Sequence, residues 1–241
     1  MKCYGANSKL GCIAFTRQYK DLDNCPACQS PRHDSNNRSR QFRYIPLEHR
    51  IKLMYAHHST AEIIQSYRIT VQNVPDDDTL ISDIWGAEVM QSDRMRKLFE
   101  GNDDNKRAIA LQFALDGVQT HALRNNEVWP LICLNLNLPP CIRFREDNIL
   151  PLAITPGPNE PVDIDSFLSP MVDEVQRLSK DGVQCYDAYT EEMFTLRVHI
   201  VVCTGNTPAI AKLLSMKKST AKHCCRFCHI TGKLYSYCFI F

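Results

Sequence analysis

Asp116 closes the apolar run Ile109-Ala110-Leu111-Gln112-Phe113-Ala114-Leu115 and is followed by Gly117. The pattern predicts a carboxylate at the exit of a buried strand, where the backbone turns. Magnesium and similar hard ions take oxygen ligands, so a metal-dependent site that cuts phosphodiesters could draw its first ligand from this position. Ninety residues on, a second run from Val198 to Thr204 ends in Gly205-Asn206-Thr207-Pro208-Ala209. A neutral amide therefore stands where a second carboxylate is expected. Asparagine offers one uncharged carbonyl in place of a bridging anion, and a pair of divalent ions held for in-line attack needs that negative charge. Asp-Gly is also a common turn pair, so Asp116 taken alone reads as a turn residue.

Thiols and imidazoles form a second set. Near the start stand Cys3, Cys12, Cys25 and Cys28, and in Cys25-Pro26-Ala27-Cys28 the two-residue spacing lets both sulfurs reach one tetrahedral ion. Zinc suits such a thiolate set, with His33 as a substitute fourth ligand if Cys3 or Cys12 points away. Near the end, His223-Cys224-Cys225-Arg226-Phe227-Cys228-His229 packs five donors into seven residues, with Cys238 behind. Cys225 and Cys228 form the natural pair there. The other two ligands are open among His223, Cys224, His229 and Cys238. Cys133, Cys141, Cys185 and Cys203 lie singly in or beside apolar runs and read as small core residues.

The elements that must position these residues follow from periodicity. Residues 1–40 form a small cysteine-rich module plus a polar linker. In 41–105 a helical region is expected, with apolar positions Leu47, Ile51, Met54, Tyr55, Ile63 and Ile64 on one face and Ser59-Thr60 as a break or new cap. Pro75-Asp76-Asp77-Asp78-Thr79 should start a further helix reaching about Phe99, its aspartates favoured by the positive end of the helix dipole. From 106 to 241 the pattern changes to strands at 108–115, 128–135 and 149–154. An amphipathic helix opens at Asp163-Ile164-Asp165 and closes at Asp181-Gly182, a strand runs from Phe194 to Cys203, and Pro208 suits the first turn of a helix over Ala209 to Met216. Strands followed by alternating helix and strand predict an α/β layer architecture with a mixed sheet.

Bulk composition sets limits. At 241 residues and 44% hydrophobic, the chain can bury a sizeable core. A formal net charge of +1 leaves any nucleic-acid contact to local basic patches. Twelve cysteines are about 5% of the chain, below the level of short disulfide scaffolds. No signal peptide is recognisable after Met1, and no apolar run is long enough to span a bilayer. A reducing compartment with cysteines held as zinc thiolates, and no membrane partner, is the expectation.

Taken in order, Cys25-Pro26-Ala27-Cys28, Phe42-Arg43-Tyr44-Ile45-Pro46-Leu47, Ala114-Leu115-Asp116-Gly117, Val128-Trp129-Pro130-Leu131, Asn137-Leu138-Pro139-Pro140, Pro156-Gly157-Pro158, Gly205-Asn206-Thr207-Pro208-Ala209 and Cys225-Arg226-Phe227-Cys228 carry a resemblance across nearly the whole chain. It is similar to the transposases of CACTA (En/Spm-like) DNA elements, in the form common in fungal genomes. The resemblance implies a ribonuclease H-like fold with an Asp-Asp-Glu set holding two magnesium or manganese ions, DNA transposon ends as partner, and action in the nucleus. It places Asp116 at the first aspartate and Asn206 at the second. The family's glutamate lies on a helix well beyond the cysteine cluster, whereas the sequence stops at Phe241. The expectation is therefore a partial ribonuclease H-like core, preceded by a zinc-binding module and a helical region, in a truncated and degenerate copy with little or no strand-transfer activity.

Two other readings compete. One is a zinc-dependent DNA- or protein-binding module without catalysis. The other is a zinc enzyme built on His223, Cys225 and Cys228, but deaminase-like chemistry needs a glutamate close to the metal, and none lies within 223–229 or after it. His57-His58 reads as surface. Lys217-Lys218 and Lys222 read as a solvated face, or as phosphate contacts if the resemblance holds.

Overall fold

The computed structural model describes residues 2–7, 11–72, 83–119, 127–155, 160–217, 221–223, 225, 231, 233–235 and 238–240. Strands β1 (Lys2–Asn7), β2 (Arg40–Tyr44), β3 (Ile109–Leu115), β4 (Val118–Gln119), β5 (Glu127–Asn135) and β6 (Ile149–Thr155) precede β7 (Val183–Asp187), β8 (Glu192–Leu196) and β9 (Val198–Thr204). Two short strands follow, β10 (Lys233–Tyr235) and β11 (Cys238–Ile240). The helices are α1 (Leu47–Tyr55), α2 (His58–Gln72), α3 (Asp93–Phe99), α4 (Asp103–Lys106), α5 (Pro140–Arg143), α6 (Asp165–Lys180) and α7 (Thr207–Leu213).

A mixed seven-stranded sheet organises the protein, in the order β1-β2-β6-β5-β3-β9 with β4 paired to β5 at the side. All its pairings are antiparallel except β3 with β9, which run parallel. Parallel neighbours need a long crossover, here the chain that leaves β3 and returns through β5, β6, α6 and the β7–β8 hairpin to β9. The core joins Ile109, Leu111, Phe113 and Leu115 of β3 to Leu131 and Leu152 of the neighbouring strands, and to Phe167, Leu168, Met171 and Leu178 of α6. Those α6 residues are the apolar stripe that the sequence predicts. The helix ends as expected, with Asp181 capping and Gly182 at φ +72°, where an added Cβ would lie 2.6 Å from Thr195 Cγ2.

Pro170 inside α6 removes the N–H that would have bonded the Ser166 carbonyl. That carbonyl accepts instead from Thr16 Oγ1 at 2.6 Å, and Ser166 Oγ accepts from Ala14 N at 2.9 Å. The turn opened by proline thus anchors the N-terminal segment. Glu174, one turn further, accepts from Tyr44 Oη and from the backbone N–H groups of Leu47 and Glu48. It caps α1, whose preceding residue, Pro46, has no side-chain acceptor.

Several expected elements are corrected. The helix reaching Phe99 is broken over the described residues 83–99 into two 3-10 turns, Ile84–Gly86 and Glu88–Gln91, before α3. Ala87 and Ser92 adopt extended backbone there, and Trp85 is buried with its Nε1 donating to Leu136 O. The start proposed at Pro75 to Thr79 lies outside the described residues. The helix break falls at Ala56-His57 rather than Ser59-Thr60. Residues 40–44 are strand, because Phe42 and Tyr44 alternate with exposed neighbours. The single strand over 194–203 is two: β8 turns back on β7 as a hairpin, and β9 joins β3. Among the described residues no helix is long and apolar enough to cross a membrane.

Candidate metal-binding sites

The parallel pairing of β3 and β9 runs in register from Ile109 opposite Val198 to Ala114 opposite Thr204, with one irregularity between Leu111 and Gln112. Their carboxyl ends therefore emerge side by side, the position where open α/β sheets bind ligands. A Cβ on Gly205 would lie 2.5 Å from the Leu115 carbonyl oxygen, so only glycine permits this approach. Thr204 is held to the neighbouring strand by Gln112, whose Nε2 donates to Thr204 Oγ1 at 2.9 Å.

Asp116 and Asn206 meet at this junction. Asn206 Nδ2 donates to Asp116 Oδ1 at 2.5 Å, and Gly117 N donates to the same oxygen at 2.7 Å. Asn206 Oδ1 accepts from Ala209 N at 2.9 Å as the N-cap of α7, with Pro208 in the first turn. Both neighbours fix the amide in one orientation: its oxygen serves the helix and its N–H₂ serves the carboxylate. Both side chains are exposed. With the Asn206 oxygen engaged by the cap and an N–H facing Asp116, the pair offers one anionic donor. These residues do not fit a two-metal centre.

The thiols make the opposite arrangement. The donor atoms of Cys12, Cys25 and Cys28 all lie within 4.8 Å of one another, compatible with the roughly 3.8 Å between sulfurs around a tetrahedral ion with Zn–S bonds near 2.3 Å. Cys12 and Cys25 are buried. The Pro26-Ala27-Cys28 turn is closed by Gln29 N donating to Cys25 O at 2.8 Å, with Gln29 in the left-handed region at φ 55°. Burial pushes the Cys28 thiol up, but hydrogen bonds with Ser30, Cys25 and Cys12 outweigh it and bring it down to about 7. That is a thiol ready to become a thiolate ligand. Three cysteines held together in this way can hold a metal ion.

The sequence comparison adds the decisive observation: the family described as transposase family tnp2 matches residues 78–237, about two thirds of the chain, spanning both Asp116 and Asn206. The chain belongs to this transposase family. No curated protein matches it.

Within the tnp2-family region, Asp116 and Asn206 are the two predicted positions brought into contact. Neither is joined by enough His, Cys, Asp or Glu to make a three-ligand group among the described residues. In the N-terminal segment the thiol group contains Cys12, Cys25 and Cys28 but not His33, whose backbone pairs with that of Ser39. The side chain of Cys3, in β1, lies outside the described residues. So do Cys224, Cys228 and His229, and the side chain of Cys238. His223 Nδ1 lies 3.4 Å from Thr231 Oγ1. Cys133 and Cys185 are buried as expected, whereas Cys141 and Cys203 are exposed. Cys141 sits in the short α5, and the Cys203 side chain leaves the sheet near its edge at β9. His57, His58, Lys217 and Lys222 are exposed, and Trp129 is buried with Lys212 Nζ 5.7 Å from its ring centroid. The sequence reading missed Arg32, Arg38 and Arg40, hidden in a stretch that reads as linker. Their density of three cations in nine residues was the available signal.

Proposed function

We propose that this tnp2-family chain derives from a CACTA (En/Spm-like) element of fungal type, whose ancestral activity was metal-dependent cleavage and strand transfer of DNA in the nucleus, and that little or no catalysis remains. The contact between Asn206 and Asp116 carries this reading. Two positions ninety residues apart meet at the ends of adjacent parallel strands, as a shared metal site on a ribonuclease H-like core requires. The amide at the second position then withholds the charge that magnesium or manganese would need. The three-part organisation proposed is 1–40 zinc-binding, 41–105 largely helical, and 106–241 belonging to the ribonuclease H-like core with the C-terminal cysteine/histidine cluster. The test is Asn206→Asp, joined to a C-terminal segment that supplies the family's glutamate, assayed for nicking of transposon-end DNA with manganese. Activity raised over the parent and abolished by Asp116→Ala supports the reading; no gain in nicking contradicts it.

A second reading is favoured by the Cys12, Cys25 and Cys28 group: a zinc-dependent DNA- or protein-binding module without catalysis. Its mark is DNA or protein binding that persists without magnesium or manganese and is lost when a chelator strips zinc.

A further inference from the structure

We infer that the hairpin carrying Arg32, Arg38 and Arg40 grips the phosphate backbone of duplex DNA lying across the same end of the sheet as Asp116 and Asn206. The inference rests on the DNA reading above and assigns a surface to it. The three arginines face one cavity of about 440 Å³ lined also by Pro31, His33 and Asp34. Three cations against one carboxylate give this short stretch a net +2 on a chain whose total is +1. Asp34 shapes the turn, its Oδ1 accepting from the N–H groups of Asn36 and Arg38, and its single negative charge is already counted in that net +2. With Asp34 N donating to Arg38 O, Asn37 in the left-handed region at φ 57° and the bridge from His33 to Ser39, the loop is a built hairpin rather than a free linker. Arg32 is held from behind by the Phe15 ring, 5.2 Å away, and by donation to Lys20 O at 2.7 Å. Arg38 and Arg40 are exposed. Arg32, so held, is pre-oriented, and planar guanidinium forks suit phosphate oxygens.

The register locates the hairpin. Tyr44 pairs with Ala153, Ala153 with Leu131, and Leu131 with Leu115. Because β2 runs antiparallel to β6, and β6 and β3 run the same way, moving back from Tyr44 to Arg40 moves toward the end of the sheet where Asp116 emerges. Three strand spacings give about 14 Å sideways, and the remaining offset along the strands about 10 Å. Arg40 thus stands about 17 Å from Asp116, or about five base pairs of duplex at 3.4 Å each.

The experiment titrates a fluorescent duplex of transposon-end sequence with the full chain by anisotropy over a series of salt concentrations. Each phosphate contact contributes about 0.9 to the slope of log affinity against log salt. Arg38→Ala with Arg40→Ala should lower that slope by about two and weaken binding similarly on every duplex sequence. Arg38→Lys with Arg40→Lys should keep the slope. Arg38→Gln alone, which leaves β2 untouched, should lower it by about one and covers the case in which the double variant does not fold. If the parent binds no duplex, the DNA reading itself fails and this inference with it. If the parent binds and the folded arginine variants keep the parent slope, the surface is wrong while the DNA reading stands. Loss of binding to an RNA duplex that exceeds the loss for DNA overturns the choice of occupant.

Discussion

The thiol group and the Asp116–Asn206 pair are both candidate metal sites, yet they are built in opposite ways. Cys12, Cys25 and Cys28 lie within seventeen residues, and two of the three are buried. Asp116 and Asn206 are ninety residues apart, exposed, and joined only because β3 and β9 pair in parallel. The first site gathers three donors of one kind. The second sets a helix-capping amide beside a single carboxylate, and on the function proposed above that cap keeps the geometry of a metal site without its second charge. A local ligand set can hold its metal through short-range sequence alone, whereas a site assembled by topology can outlive its chemistry because the same residues still serve the fold.

The largest expected effect is at the thiols. Cys25→Ser should abolish zinc binding at the N-terminal thiols, and hydrogen exchange should show loss of protection across residues 12–30 while β3 and β9 stay protected. Structural zinc contributes about 10 kcal/mol or more in small modules that fold around it, so retention of a folded module without metal would break the comparison. Next is Gly205→Ala. Its Cβ would meet the Leu115 carbonyl at 2.5 Å, and pushing β9 from β3 should cost about 3 kcal/mol in denaturant unfolding.

His199 gives a pH test of the same strand. It is buried in β9, with Nδ1 2.9 Å from Ser179 Oγ and no partner for Nε2 among the described residues. Burial, with the Arg197 charge nearby, lowers its pKa to about 4. A histidine lowered below its ordinary 6.5 is neutral in the fold but takes up a proton more readily when unfolded. Its full contribution is therefore present above about pH 6.5 and falls away as pH drops toward 4, a loss of order 2–3 kcal/mol. Denaturant midpoints from pH 7 to pH 4 should show this slope for the parent and not for His199→Gln. The smallest effect is Asn206→Ala, which removes the α7 cap at about 1 kcal/mol and leaves zinc content unchanged.

Legibility in the sequence divided along the same line. The runs of β3, β5 and β6, the stripe of α6 with Gly182 at its end, and the Cys25-Cys28 pair were readable because each is a local pattern. Which strand β9 would pair with was not, since the residues from Phe194 to Cys203 carry no turn signal and split only by choice of partner. The helix expected through to Phe99 failed because Trp85 is drawn into the core against Phe99 and Leu136, overriding helical periodicity. The arginine hairpin escaped notice because its order comes from the Asp34 turn and a single bridge. Neither leaves an apolar period.

The most direct measurement of the central claim is manganese binding, followed by electron paramagnetic resonance, in the parent, in Asn206→Asp and in Asn206→Asp with Asp116→Ala. The account predicts no manganese bound at Asp116 in the parent, binding in Asn206→Asp, and its loss in the double variant. A parent chain that binds manganese through Asp116, and cuts DNA only while that carboxylate is present, contradicts it.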